Sequence, residues 1–353
     1  MKNNSKFFKN SKDLPVDKFF YNVMYDKKNG YYNSKYPFGN RGDYITSPNI
    51  SNLFSEMIAI WIVATWEILG KPDKLNVVEL GPGDGSLTKT LLSVFKKFPE
   101  FNRSKKIYLF EISNLLRKVQ KRKIKSRNVT WINKFEKIKK GPVIFFGNEF
   151  FDAIPIKQFK REKNLIMEKY FTLKTNNIIE IFKRANNEDV KKINSYKSLK
   201  KLKFIEFPKN GFYELKKIIK KLKELKGCLL LIDYGYVKSN NQNTLQSVIK
   251  HKKNYILKNL GNADVTSHVN FDLLQEFFLK NNFKVKKIIS QNEFLKNLGI
   301  IERANIIARK MKFSEKSNLY IRLQRLLSPK SMGSLFKVIL AYNFKNNQYF
   351  GFK

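Results

Sequence analysis

Apolar positions along the chain repeat at two distinct periods. Between residues 51 and 69, Leu53, Phe54, Met57, Ile58, Ile60, Trp61, Ala64 and Ile68 recur at three- and four-residue spacing. That spacing predicts a helix, with Ser51 placed to cap its start and Gly70 and Pro72 to stop it. From residue 75 onward, short apolar runs alternate with amphipathic stretches. Strands are expected at 75–80, 107–111, 129–132, 143–147 and 228–233, and helices at 86–97, 113–123 and 211–225. Buried strands alternating with helices predict an α/β fold with a parallel, doubly wound, Rossmann-like sheet. Residues 156–210 break the alternation, because runs at 165–172 and 178–184 are too β-rich for a simple crossover. After the fifth strand the pattern predicts a long loop to His268, a helix at 271–279, a strand at 283–289, helices to Leu327 and a last strand at 334–342. The segment 16–47 is rich in Tyr, Gly and Asn, with turns at Asn29-Gly30 and around Gly39, and reads as a loop-dominated cover. The expected organisation is an N-terminal cover or lid over 1–48, a first part of the core over 49–155, a β-rich insertion over 156–210 and a second part of the core over 211–353.

Composition narrows the class. The 353 residues are 42 % hydrophobic and 14 % aromatic, which excludes wholesale disorder. A single cysteine, Cys228, cannot close an internal disulfide, and with only His251 and His268 it cannot build a usual zinc shell. A metal-free mechanism is therefore expected. The longest apolar run, 58–69, carries Glu67 and falls short of the about 18 residues of a membrane span. Net charge is 70 − 29 = +41, which by itself points to nucleic acid or an acidic surface as partner. The excess is lysine, however, with only 11 arginines spread among 59 lysines. Phosphate and base readers favour the arginine fork, so a solvated lysine-rich surface is the expected reading and nucleic acid is disfavoured.

Candidate chemistry gathers at strand ends. The stretch Asn76-Val-Val-Glu79-Leu-Gly81-Pro-Gly83-Asp84-Gly85 runs from a buried strand through three glycines into a helix. Glycine serves where backbone must turn sharply and approach a ligand closely. In nicotinamide-binding proteins the third glycine comes one residue later, and Asp84 would repel a diphosphate. The cationic sulfonium of S-adenosylmethionine tolerates such acidity, although a dinucleotide or a structural turn remains open from the loop alone. Glu111, ending the second strand, offers two oxygens at the spacing of a ribose diol. The fourth strand ends in Asn148-Glu149-Phe-Phe-Asp152, two acids around two aromatics, which suits a cationic or amine-bearing group. Asp233 ends the fifth strand. His268, in a polar knot before a helix, is either a base near neutral pH or a loop brace. Arg41 either clamps a cofactor carboxylate or pairs with Asp43.

Taken together, these blocks resemble the MidA-type class I S-adenosylmethionine-dependent methyltransferases, whose mitochondrial members are complex I assembly factors. The likeness runs from about Leu14 to Lys337 through Gly30-Tyr31-Tyr32, Gly42-Asp43-Tyr44-Ile45-Thr46-Ser47-Pro48, Glu79-Leu80-Gly81-Pro82-Gly83, Phe110-Glu111-Ile112-Ser113, Asn148-Glu149-Phe150-Phe151-Asp152-Ala153, Asp233-Tyr234-Gly235, Asp264-Val265-Thr266-Ser267-His268 and Met332-Gly333-Ser334-Leu335-Phe336-Lys337. Asp84-Gly85-Ser86 and Tyr44 depart from the family pattern. The resemblance implies a class I methyltransferase sheet. It also implies S-adenosyl-L-methionine as cofactor and methylation of an arginine nitrogen on a protein partner, a respiratory complex I subunit in mitochondria. On that reading the cofactor residues are Glu79, Gly81, Gly83, Gly85, Glu111, Asn148 and Arg41, and the catalytic candidates are Glu149, Asp152, Asp233 and His268. The stretch before the match is short and arginine-poor for a transit peptide, so a bacterial cytoplasmic enzyme is expected. A nicotinamide-dependent oxidoreductase and a non-catalytic basic RNA-binding or assembly protein are the alternatives.

Overall fold

A run of wholly buried strand residues, Leu75–Leu80, forms the middle of the larger sheet, and everything that positions the site is arranged around it. The computed structural model describes residues 4–39, 42–163, 165–175, 177–238, 240–345 and 349–352. The chain divides into two units. The first gathers residues through Tyr44 with Phe151–Lys216 and Tyr236–Lys280, and the second gathers Ile45–Phe150, Lys217–Gly235 and the chain from Asn281 onward.

In the second unit the strands lie in the order Val129–Ile132, Lys105–Phe110, Leu75–Leu80, Val143–Asn148, Gly227–Tyr236 and Phe336–Tyr342. The first five are parallel, and Phe336–Tyr342 runs antiparallel at the end. Strand order therefore reverses between Leu75–Leu80 and Val143–Asn148, the place where open α/β sheets leave a crevice at their carboxyl ends. The doubly wound sheet read from the sequence is thus found. The capped helix is also there, at Asn52–Ile68, with Ser51 Oγ accepting the Leu53 amide at 3.3 Å. It is buried nearly all round, through Phe54, Trp61, Ile62 and Trp66, within the core that also holds Val77, Leu109, Ile144 and Leu230.

The first unit holds an antiparallel sheet of Asp13–Pro15, Leu165–Lys174, Lys157–Glu162 and Phe204–Phe207, with Asn177–Arg184 paired to Leu165–Lys174. The strands expected at 165–172 and 178–184 are present and slightly longer. Three expectations need correction. Residues 16–47 are not only loop, since Val16–Tyr25 is a helix. Its buried stripe of Val16, Phe19, Phe20, Val23 and Met24 seats Phe19 on Phe171, ring centroids 4.5 Å apart. The loop expected before His268 contains the short strands Gln246–Ile249, Lys252–Asn254 and Asp264–Thr266. The strand expected at 283–289 is two fragments, Lys284–Val285 and Ile289–Ser290, each pairing with Phe336–Tyr342. The segment 156–210 shares its unit with the N-terminal residues and with part of the region expected to continue the core. Among the described residues no helix is long and apolar enough to cross a membrane.

One buried ion cluster ties the first unit together. Lys157 pairs with Glu168 and, at 3.0 Å, with Asp189, which also receives Lys209 at 2.7 Å. Burial opposes a charged Lys157, but Asp17 and Glu168 outweigh it and hold the ammonium above its ordinary range. Removing the cation strands buried carboxylates, so Lys157→Met is expected to cost roughly 3–5 kcal/mol in urea unfolding, whereas Lys160→Met, at an exposed pair, changes stability by under about 1 kcal/mol.

Candidate active site

Three residues at the sheet's carboxyl edge hang from the neighbouring strand by one further ladder bond each. Gly81 N donates to Phe110 O at 3.0 Å, Glu111 N to Ile132 O at 3.2 Å, and Glu149 N to Ile232 O at 2.9 Å. The strands therefore fix the backbone of the site, and the loops only continue it.

The glycine loop follows Leu75–Leu80. Gly81, Gly83 and Gly85 all have positive φ, at 62°, 53° and 81°, and Gly85 precedes the helix Ser86–Phe95. A Cβ at Gly81 would come within 2.9 Å of the Phe150 ring, so only glycine fits there without displacement. Glu79 is buried behind the loop and accepts a hydrogen bond from Thr88 Oγ1. Burial, with the nearby charges of Asp84 and Glu111, pushes its carboxyl up to about 8 despite Thr88. Asp84 plays a different part from the one its position suggested. One oxygen accepts the Ser86 amide at 2.9 Å, and the other pairs with Lys123 and accepts Ser86 Oγ at 3.0 Å. It is paired with Lys123, so repulsion of a diphosphate by Asp84 does not by itself decide between cofactors.

Glu111 is buried at the end of Lys105–Phe110. Oε1 accepts the Ser113 amide at 2.7 Å and Oε2 accepts Gln120 Nε2 at 3.0 Å. Burial raises its carboxyl above the ordinary value even so. Gln120, on the helix Asn114–Ile124, is fully buried and was not singled out from sequence. Its Nε2 also donates to Gly83 O at 2.8 Å, while its Oε1 accepts Trp131 Nε1 at 2.8 Å. One side chain thus joins the glycine loop, the second-strand acid and the third strand. Arg117 adds a fork onto the carbonyls of Glu111 and Ile132.

At the fourth strand end, Glu149 adopts φ +53°, a left-handed conformation costing roughly 1 kcal/mol in a non-glycine residue. Its Oε1 accepts the Ser47 amide at 3.2 Å and Asn148 Nδ2 at 3.0 Å. Ser47 is fully buried, and its hydroxyl lies 3.4 Å from Gln291 Oε1. Asn148 Oδ1 is buried with no hydrogen-bond partner among the described residues, an acceptor available to a ligand. Asp233 is buried on the next strand, its Oδ1 accepting the Tyr234 amide at 2.9 Å.

Asp152 and His268 belong to the first unit, which brings them together through the backbone. Asp152 O accepts the Ser267 amide at 3.1 Å, and the His268 amide donates to Thr244 Oγ1 at 3.0 Å, which in turn donates to the buried Glu206. Burial lowers the His268 imidazole below its ordinary value. Asp43 accepts Tyr31 Oη and Lys35 Nζ, both at 2.6 Å, and the Lys250 amide at 2.8 Å. It pins the N-terminal segment. Arg41 lies outside the described residues.

A strand order of this kind, with a glycine turn after the first strand and an acid closing the second, is common to dinucleotide-binding and class I methyltransferase sheets, and likeness to known proteins places this chain in the second class. The chain belongs to the S-adenosyl-L-methionine-dependent methyltransferase family whose model matches residues 57–289. Among its relatives, the mitochondrial protein arginine methyltransferase NDUFAF7 of Danio rerio is 27 % identical over 89 % of this chain and 80 % of its own length. The NDUFAF7 enzyme of Homo sapiens is 25 % identical over 93 % and 80 %. A Burkholderia thailandensis protein crystallised with S-adenosyl-homocysteine shares the fold at a TM-score of 0.81, with 21 % identity, covering 96 % of this chain and 89 % of its own. The family resemblance read from the motifs is borne out, and the cofactor is S-adenosyl-L-methionine. The residues at the carboxyl edge fit that group through buried acids for cationic and hydroxyl groups, a backbone cradle at Gly81, and the open acceptor Asn148 Oδ1.

Two outcomes follow. Gln120→Met keeps volume but removes both donated bonds. It is expected to weaken S-adenosyl-homocysteine binding about 10-fold in calorimetry while leaving saturated turnover within about twofold. For Glu79, the folded protein holds a proton up to about pH 8 that the unfolded chain releases near its ordinary 4.5. Its stabilising contribution is therefore complete at low pH and is lost as pH rises through about 8. The melting temperature of the cofactor-free protein should fall across that window, and Glu79→Gln should flatten the fall.

Proposed function

We propose that the protein methylates an arginine guanidinium nitrogen on a protein partner. The observation that carries this reading is the likeness, over about nine-tenths of the chain, to relatives named protein arginine methyltransferase. The partner implied by the family resemblance is a subunit of respiratory complex I. When bound, S-adenosyl-L-methionine supplies the electrophilic methyl group and the sulfonium driving force. The chain itself supplies placement and proton handling. Glu79, the glycine loop and Glu111 hold the cofactor, with Gln120 keeping loop and acid in register. A guanidinium is a poor nucleophile while its lone pairs are delocalised and its charge is unrelieved. Glu149, fixed through Oε1 by Ser47 and Asn148, grips its N–H groups, polarises it towards one nitrogen and takes the proton released when the new N–C bond forms. Asp233 supports that strand end. Asp152 and His268, held together by the backbone of the first unit, remain the further catalytic candidates.

Glu149→Gln keeps shape and removes charge. Single-turnover methylation of captured protein, read by mass spectrometry, is expected to drop about 10²-fold or more, with cofactor affinity within a few-fold. Ordinary rates in Glu149→Gln and Asp152→Asn would make both acids structural and move the search to His268. Methyl groups found on residues other than arginine would overturn the substrate reading while leaving the methyltransferase intact.

A further inference from the structure

Near the end of the chain two helices, Ile300–Ala308 and Phe313–Leu327, form a hairpin of the second unit, and Tyr320 Oη donates across it to Asn305 Oδ1 at 2.8 Å. Ile300, Ala304, Leu323 and Leu326 bury the inner face in the core. The outer side is unusual for a solvated surface. Phe313, at the turn, is 88 % exposed, and Ile306 and Ile321 are 55 % and 61 % exposed. Around them stand Arg309, Lys310, Lys312, Lys316, Arg322 and Arg325, opposed over residues 309–327 only by Glu315, whose carboxylate is spent on the Lys312 amide at 3.1 Å. Four of the chain's 11 arginines fall between residues 300 and 327. Arg303 pairs with Glu56, and the other three are exposed.

We propose that the tip and outer face of this hairpin dock the protein on an anionic lipid bilayer. Cations beside exposed apolar side chains suit an interface with phosphate above and acyl chains below. Arginine forks match the phosphodiester oxygens, while Phe313 and Ile321 enter the acyl boundary. Nucleic acid is the poorer fit, because two of the three apolar residues are aliphatic and offer no ring for base stacking. A folded acidic partner is also the poorer fit, because it would have to supply both a pocket shaped to Phe313 and a dry rim around it. A fluid interface requires neither.

The test uses the full chain with a fluorophore at Ser314→Cys, the native Cys228 being buried. Phosphatidylcholine vesicles containing about one third phosphatidylglycerol are compared with pure phosphatidylcholine. Co-sedimentation with the anionic vesicles alone, accompanied by a rise and blue shift of the fluorescence, is expected. Phe313→Ser with Ile321→Ser should weaken binding about 10-fold at high salt, where charge is screened. Arg322→Gln and Arg325→Gln should each weaken it roughly fivefold at low salt. Unchanged S-adenosyl-homocysteine binding in every variant reports an intact fold. The proposal is overturned if vesicles bind without a fluorescence change, because the lysine-rich surface at large then carries the binding. It is overturned equally if the variants bind like the parent, or if a polyuridine RNA or an acidic polypeptide gives the same fluorescence response.

Discussion

The reversal of strand order between Leu75–Leu80 and Val143–Asn148 is the constraint on which the candidate site depends. Chain leaving two adjacent parallel strands at such a point turns to opposite faces and leaves the carboxyl edge open. Backbone groups there have lost their regular partners and must find others. The amides of Gly81, Glu111 and Glu149 do so by taking one more carbonyl from the adjoining strand. The same bonds that satisfy the edge also set where its side chains begin. A left-handed Glu149 is tolerable on this footing, because a ladder bond on its own amide and two donors on its carboxylate define the position that the conformation serves.

Electrostatics then gives the edge a character opposite to that of the chain. The protein carries +41 in total, yet Glu79 and Glu111 are buried together and their carboxyls are raised by burial. Thr88, Gln120 and Ser113 satisfy part of their hydrogen-bonding capacity without supplying a positive charge. Asp84 differs in having Lys123. The acids behind the glycine loop therefore have no paired lysine, Glu111 having only the nearby charge of Arg117, and a cofactor bearing cationic and hydroxyl groups would relieve what burial imposes. This is a firmer physical ground for the cofactor than the repulsion that Asp84 was expected to exert.

What could be read from the sequence is what local chemistry determines. The glycine loop, Glu111 at a strand end and the capped helix at Asn52–Ile68 each follow from residues within a few positions of one another. Gln120 could not be read, because it joins Gly83, Glu111 and Trp131 only after three strands are in place, and a lone Gln in a lysine-rich helix carries no signal. Ser47 is similar. Its amide reaches Glu149 across 102 positions of sequence. The Val16–Tyr25 helix was hidden by the Tyr-, Gly- and Asn-rich residues that follow it, although its own apolar stripe has helical spacing. Strands of three or four residues, such as Lys252–Asn254, are too short to show a period at all.

Arginine usage joins these levels. In a chain with 59 lysines and 11 arginines, three arginines are used where a point charge on a flexible stem is not equivalent. Arg117 shows this, since its planar fork sets Nε and Nη2 on the carbonyl of Glu111 and Nη2 on that of Ile132, a fixed two-atom geometry that a lysine ammonium lacks. Arg161 reaches Leu202 O and Asn194 together, and Arg303 meets Glu56 at 2.7 Å. Arg117 and Arg161 use multidentate geometry, and Arg303 a single Nε contact, against a defined acceptor inside the protein. Arg309, Arg322 and Arg325 keep the same group on an exposed face, where the protein's own described atoms give it no such acceptor to organise. Arg103, Arg122, Arg127 and Arg184 also lack such an acceptor among the described residues, so arginine alone does not mark an external target, and what sets the hairpin face apart is its cations standing beside the exposed Phe313, Ile306 and Ile321.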